Sequence, residues 1–137
     1  MPLREGLMIV LEEAPDTGEG IYEFESGKAL AERFLRCCPE ATAILTVNDV
    51  TAFGIIQTLT NAGVKVPEDV SVVGFDNIYI SPMITPGLTT VSIPAVKMGS
   101  DICDTLIEHM KREERFDGFD MRFAAELVVR DSVKDIS

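Results

Sequence analysis

Val66-Pro67-Glu68-Asp69-Val70-Ser71-Val72-Val73-Gly74-Phe75-Asp76-Asn77 decides the fold. Val70 to Phe75 is apolar at nearly every position and lacks the alternation of a strand with one face in water. A strand of that kind is covered on both faces, the habit of parallel sheets in α/β folds. In open sheets of this type, ligands bind in the crevice outside the carboxyl ends of the strands. The strand therefore delivers Asp76 to a place where a ligand contact is expected.

Upstream of this run, Thr42 to Val47 reads as a second apolar strand. A helix follows from about Val50 to Ala62, with Phe53, Ile56 and Leu59 on one side. Gly63 suits the left-handed position that closes many helices. Strand, helix and strand make a βαβ unit, whose crossover is right-handed in nearly all cases. Upstream, Ser26 offers an N-cap oxygen for a helix from about Gly27 to Cys38, stopped by Pro39. Leu30, Ala31, Phe34, Leu35 and Cys38 give that helix a core-facing stripe. Ile21, Tyr22 and Phe24 suggest a short strand, and Met1 to Ala14 a helix ended by Pro15-Asp16-Thr17-Gly18. Downstream, Ile78 to Gly87 is a loop, and Leu88 to Ile93 is either another strand or an extended crossing. Pro94 opens a helix to about Arg112. Glu113 to Asp120 is a charged turn, Phe123 to Val129 a final strand, and Val133 to Ser137 a tail.

Composition excludes several functions. The 137 residues suit about one domain, and 46% hydrophobic residues can bury a core. No apolar run approaches the roughly 18–20 residues of a membrane span. The start Met1-Pro2-Leu3-Arg4-Glu5-Gly6 lacks the features of a signal peptide, so a cytoplasmic product is expected. A net charge of −11 argues against direct contact with a phosphate backbone, which needs clustered Lys and Arg. Cys37, Cys38 and Cys103 have no metal-ligand spacing, and His109 is the only histidine. Neither a metal, nor another cofactor, nor histidine-based catalysis is expected.

The polar residues at the strand ends carry the remaining signal. Asn48-Asp49 follows the strand Thr42–Val47 and opens a helix, where either residue is a favoured N-cap. Asp76-Asn77 also fits an ordinary polar turn. Both pairs nevertheless lie at the carboxyl ends of strands joined by one crossover, hence on one edge of the sheet. A carboxylate and an amide there can hydrogen-bond a polyhydroxylated or heterocyclic ligand, but they supply no activated nucleophile. Asp16-Thr17-Gly18 matches an aspartic-protease tripeptide, yet it follows Glu12-Glu13-Ala14-Pro15 rather than a hydrophobic strand. Gly18-Glu19-Gly20 lacks the third glycine of a dinucleotide loop, since Glu23 stands there. The chain is not expected to be an enzyme. Arg4 is a candidate anion or hydroxyl clamp through its planar fork.

Several segments in order carry a resemblance. They are Asn48-Asp49, the run Ala62-Gly63-Val64-Lys65-Val66-Pro67-Glu68-Asp69-Val70-Ser71-Val72-Val73-Gly74-Phe75-Asp76, Leu88-Thr89-Thr90-Val91, Met98-Gly99, and Glu126-Leu127-Val128-Val129-Arg130-Asp131-Ser132. From about Ala41 to Val133 the chain resembles the LacI/GalR family of transcriptional regulators. The resemblance implies an α/β fold, a three-layer parallel-sheet subdomain of the periplasmic-binding-protein-like type I, incomplete relative to the family. Residues 1–137 would be the C-terminal portion of an effector-binding and dimerisation domain.

By that resemblance, Asn48 and Asp76 match positions that contact effector hydroxyls or ring atoms. Arg4 corresponds to the arginine of an R-x-x-G motif, with one residue fewer before Gly6. Phe53, Tyr79, Ile80, Met83 and Ile84 resemble the family's dimer-contact surface, so a homodimer is expected. The implied partner is a small sugar-like effector, with DNA met only through a helix-turn-helix domain expected to be missing here. The alternative is a fragment of a periplasmic sugar-binding protein for transport. The helix 94–112 would pack in the family on a subdomain also expected to be missing. Its seven apolar residues (Val96, Met98, Ile102, Cys103, Leu106, Ile107 and Met110) are each worth roughly 1.5–3 kcal/mol when fully buried. The helix is therefore expected to fold back on this sheet or to be covered by a second chain.

Overall fold

In the computed structural model, which describes residues 24–38, 40–111 and 118–136, four strands form one sheet in the order β1-β2-β3-β4. The chain runs through α1 (Phe24–Cys37), β1 (Ala43–Leu45), α2 (Asp49–Asn61), β2 (Ser71–Phe75), β3 (Thr89–Ser92), α3 (Ala95–Lys111) and β4 (Glu126–Val128). β1, β2 and β3 are parallel, and β4 adds an antiparallel edge to β3. The βαβ unit stands as expected, and the fold is α/β. Leu88 to Ile93 resolves into a true strand. The expected final strand is shorter than Phe123–Val129 and runs against its neighbour.

Register places the core. Ile44 pairs with Val72, and both are buried beneath Ala52, Ile55, Ile56 and Leu59 of α2 and Ala31 and Phe34 of α1. Gly74 pairs with Thr90 on the same face. Leu45, Phe75 and Leu127 alternate to the opposite face and stay largely exposed. α1 and α2 thus cover one side of the sheet, and the third layer of the expected architecture is not among the described residues.

α1 differs from its sequence reading at its start. Phe24, expected in a strand, is helical, and Ser26 is buried within the first turn of α1 instead of capping it. The reason is a close helix crossing. A Cβ on Gly27 would collide with the Thr51 carbonyl, and one on Gly54 with the Phe24 carbonyl. Two glycines let the backbones of α1 and α2 touch, so helical structure is favoured one turn earlier than capping rules suggest. Ile21, Tyr22 and the helix expected at Met1–Ala14 lie outside the described residues.

The fold-back expected of the helix 94–112 does not occur. No residue of α3 is buried, and Val96 and Met110 are 90% and 72% exposed. Pro94 and Ile93 lead the chain directly out of β3 into α3, and α3 makes only marginal contact with the other described elements.

Candidate functional site

The end of β2 is built as an unusual turn. Asp76 and Asn77 both adopt left-handed backbone, with φ of 104° and 51°. Asparagine tolerates that region; at Asp76 the conformation carries strain of about 1–3 kcal/mol. Three successive amides hold it. Asp76 N–H donates to the Val91 carbonyl at 2.9 Å, Asn77 N–H to Thr90 Oγ1 at 3.3 Å, and Ile78 N–H to Asp49 Oδ2 at 2.9 Å. The Asp76 side chain is exposed, and among the described residues its carboxylate has no hydrogen-bond or ion-pair partner. Its pKa is raised above the ordinary 3.8, first by desolvation and second by the negative charge of Asp49.

Asn48 and Asp49 divide the roles that the sequence left open between them. Asn48 has extended backbone and caps α2, its Oδ1 accepting from Thr51 N–H at 2.8 Å. Its side-chain oxygen is thereby used, and its amide NH2 remains for a ligand. Asp49 is completely buried. Its Oδ1 accepts from Thr90 Oγ1 at 2.5 Å, and its Oδ2 from Ser81 Oγ at 2.5 Å as well as from Ile78 N–H. A buried carboxylate is tolerable only with such pairing, and the N-terminal end of α2 adds a favourable dipole. The structure therefore brings Asn48 and Asp76 to one sheet edge, with Asp49 beneath them.

A second set of bonds reaches the turn from the segment after β4. Arg130 donates through one NH2 group to the Leu88 carbonyl at 2.6 Å and through the other to Asn77 Oδ1 at 2.7 Å. Asn77 Nδ2 donates to Ser92 Oγ at 3.3 Å. Ser132, also buried, accepts from Thr89 N–H at 2.8 Å and donates to the Val72 carbonyl at 2.6 Å, stitching β2 to β3 below the site. Sequence reasoning missed Asp49, Ser81, Thr90 and Arg130 as site residues. The one available signal was the adjacency of Asp49 to Asn48; the other three meet the site only through the fold.

The expected dimer-contact residues differ in exposure. Tyr79 and Met83 are 76% and 71% exposed, Ile80 is half-buried, and Phe53 and Ile84 partly pack against the core. Arg4 and Asp16 lie outside the described residues. An open depression of about 610 Å³ lies where β3 passes into α3, lined by Ile93 to Lys97, Ser100 and Asp101, but neither Asn48 nor Asp76 contributes to it. Among the described residues no cluster of His, Cys, Asp or Glu could hold a metal, and no helix is long and apolar enough to cross a membrane.

Residues 8–133 match the periplasmic binding protein-like domain. The HTH-type transcriptional repressor PurR of Photobacterium profundum is 38% identical over 122 residues, which is 87% of this chain and 35% of the repressor. The chain thus spans about a third of the length of the curated relatives it matches. Among solved structures, the transcription regulator CcpA of Lactococcus lactis superposes with a TM-score of 0.74 at 33% identity, over 82% of this chain and 41% of the regulator. A LacI family transcriptional regulator from Enterococcus faecium with bound ribose gives a TM-score of 0.72 at 27% identity, over 85% of this chain and 42% of its own.

Proposed function

The chain belongs to the periplasmic binding protein-like domain family, in its LacI/GalR regulator branch, and from that premise we propose that it senses a small sugar-like effector for a transcriptional regulator. The observation that carries this reading is the uncommitted, exposed carboxylate of Asp76, held in a left-handed turn at the carboxyl end of β2. Asp76 accepts from ligand hydroxyls, and the free amide of Asn48 donates, one crossover away. Arg4 joins them as a third ligand contact. The site binds and does no chemistry: among the described residues no nucleophile or acid–base pair accompanies it.

Effector binding biases the closure of two subdomains and so alters DNA affinity through a helix-turn-helix domain. This chain forms one wall of that cleft and acts in the cytoplasm. The exposed stripe of α3 meets the opposite subdomain. Tyr79, Ile80 and Met83, with Phe53 and Ile84 behind them, form the contact between two copies. The regulator reading is preferred to transport because the curated relatives are repressors.

The test is titration calorimetry of the chain with ribose, glucose and cellobiose, and of the same chain joined to a LacI-family N-terminal subdomain. Binding that vanishes in Asp76→Ala supports the assignment. Unchanged binding in that variant would remove Asp76 from the site. Sedimentation of Tyr79→Asp should show weaker self-association than wild type.

A further inference from the structure

We propose that Asp49 is the positioning residue of the effector wall: its buried carboxylate fastens the Asp76–Ser81 turn to β3 and so aims the Asp76 side chain. This rests on the reading of Asp76 as a ligand contact. Asp49 itself, fully buried, touches no ligand.

Of the three amides that hold the left-handed turn, one belongs to the sheet: Asp76 N–H donates to Val91. The other two depend on Asp49. Ile78 N–H donates to its Oδ2 directly. Asn77 N–H donates to Thr90 Oγ1, and that hydroxyl gives its own proton to Asp49 Oδ1. A hydroxyl has one proton, so committing it to Asp49 turns the lone pairs of Thr90 toward Asn77. The same carboxylate also takes the Ser81 hydroxyl, while Ser81 N–H donates to Ile78 and its carbonyl accepts from Leu88 N–H. One carboxylate therefore closes the turn on both sides.

The surroundings accommodate this group specifically. At position 74 a Cβ would collide with Asp49 Oδ1, so the glycine in β2 is what leaves room for it. Glycine weakens a strand interior, and burying a charge is costly unless fully hydrogen-bonded. Both features serve the turn that carries Asp76. The charged group bearing on Asp76 is Asp49 from α2, while Arg130 from the segment after β4 holds the neighbouring Asn77 side chain. The charge of Asp49 contributes to the raised pKa of Asp76.

The experiment compares the full chain with Asp49→Asn, Thr90→Val, Ser81→Ala and Asp76→Asn by NMR and by calorimetry against ribose and glucose. Asn at position 49 points an NH2 group at donors that need an acceptor. Amide exchange at Asn77 and Ile78 should therefore rise at least about tenfold, while Ile55 and Leu59 stay protected. In Asp49→Asn the titration midpoint of the Asp76 carboxyl should fall toward 3.8. A general loosening would also speed exchange at Ile55 and Leu59, so a lowered midpoint with faster exchange confined to Asn77 and Ile78 marks Asp49. Thr90→Val should speed exchange at Asn77 more than at Ile78, and Ser81→Ala should retain the raised midpoint. These two variants carry the test if Asp49→Asn fails to fold. Unchanged exchange and an unmoved midpoint would overturn the inference. Sugar binding lost in Asp76→Asn but intact in Asp49→Asn would overturn positioning and leave the proposed function standing. Binding unaffected by Asp76→Asn, or absent in the wild type even when the chain is joined to a LacI-family N-terminal subdomain, would count against the proposed function, with amide exchange still deciding what Asp49 holds.

Discussion

Replacing Gly74 with alanine tests the link between the sheet and the turn most directly. The added Cβ would collide with Asp49 Oδ1 and lie 2.8 Å from Leu88 Cδ2. Neither neighbour has room to yield, because Leu88 and Asp49 are both fully buried and the Asp49 oxygen is held by Thr90 Oγ1. Displacing that oxygen forfeits a hydrogen bond to a charged group, about 1.5–3 kcal/mol. Overpacking against Leu88 adds about 1–3 kcal/mol. Against these, alanine restricts the unfolded chain and returns about 0.4–1 kcal/mol. The expected net loss is about 2–5 kcal/mol, a drop in Tm of about 8–20 °C for a chain of this size. Urea unfolding followed by circular dichroism measures it. Gly99→Ala is the control: its Cβ meets nothing within 4 Å, so it should stabilise α3 by up to about 1 kcal/mol. If Gly74→Ala unfolded at the wild-type urea concentration, the packing of Asp49 against β2 would be wrong, and the positioning role of Asp49 would lose its steric support.

Gly54→Ala should destabilise by about 1–3 kcal/mol despite the better helix propensity of alanine, because its Cβ would collide with the Phe24 carbonyl and force α1 off α2; thermal unfolding checks the sign. Ser132→Ala removes the acceptor for Thr89 N–H and a donor to the Val72 carbonyl, costing about 1–3 kcal/mol for each group left unpaired, readable in chemical denaturation. Asp76→Asn concerns pH. The raised pKa means that the folded state binds the Asp76 proton more tightly than the unfolded state. That stabilisation is complete below the unfolded value and lost as pH rises through the folded one. The Tm of Asp76→Asn should therefore gain on wild type as pH increases through this window, and a gain on lowering the pH would refute the assignment.

What could be read in advance followed from local pattern. The apolar strand before Asp76, the helix after Asn48 and the turn at Gly63 (φ 82°) depend on residues close in sequence, and each stands where the pattern put it. Position alone also set Asp76 at the carboxyl end of β2. What escaped depends on distant partners. Asn and Asp are equally good caps, so nothing local says that Asn48 takes the capping role while Asp49 turns inward. Ser81, Thr90 and Arg130 are ordinary polar residues until the sheet brings them to Asp49 and Asn77. Ser26 misled for a related reason: the glycine contact between α1 and α2 outweighed its capping preference.

Three departures from local rules meet in one place. A non-glycine residue at φ 104°, a fully buried carboxylate and a glycine inside a strand each work against stability when taken alone. Here they form a single contact chain: Gly74 admits Asp49, Asp49 holds Ile78 and Thr90, and these hold the turn at Asp76. Beside them stand conventional choices, the Asn48 cap and the aliphatic core under α2. Buried ion pairs can often be replaced by apolar residues of similar volume with no loss of stability, so burying a charge is not the usual way to gain stability. Local violations that support one another at a strand end fit the proposed ligand contact at Asp76 better than they fit a packing defect. The reason for Asp49, Gly74 and the strained turn is therefore to be sought in what they present to solvent, the carboxylate of Asp76.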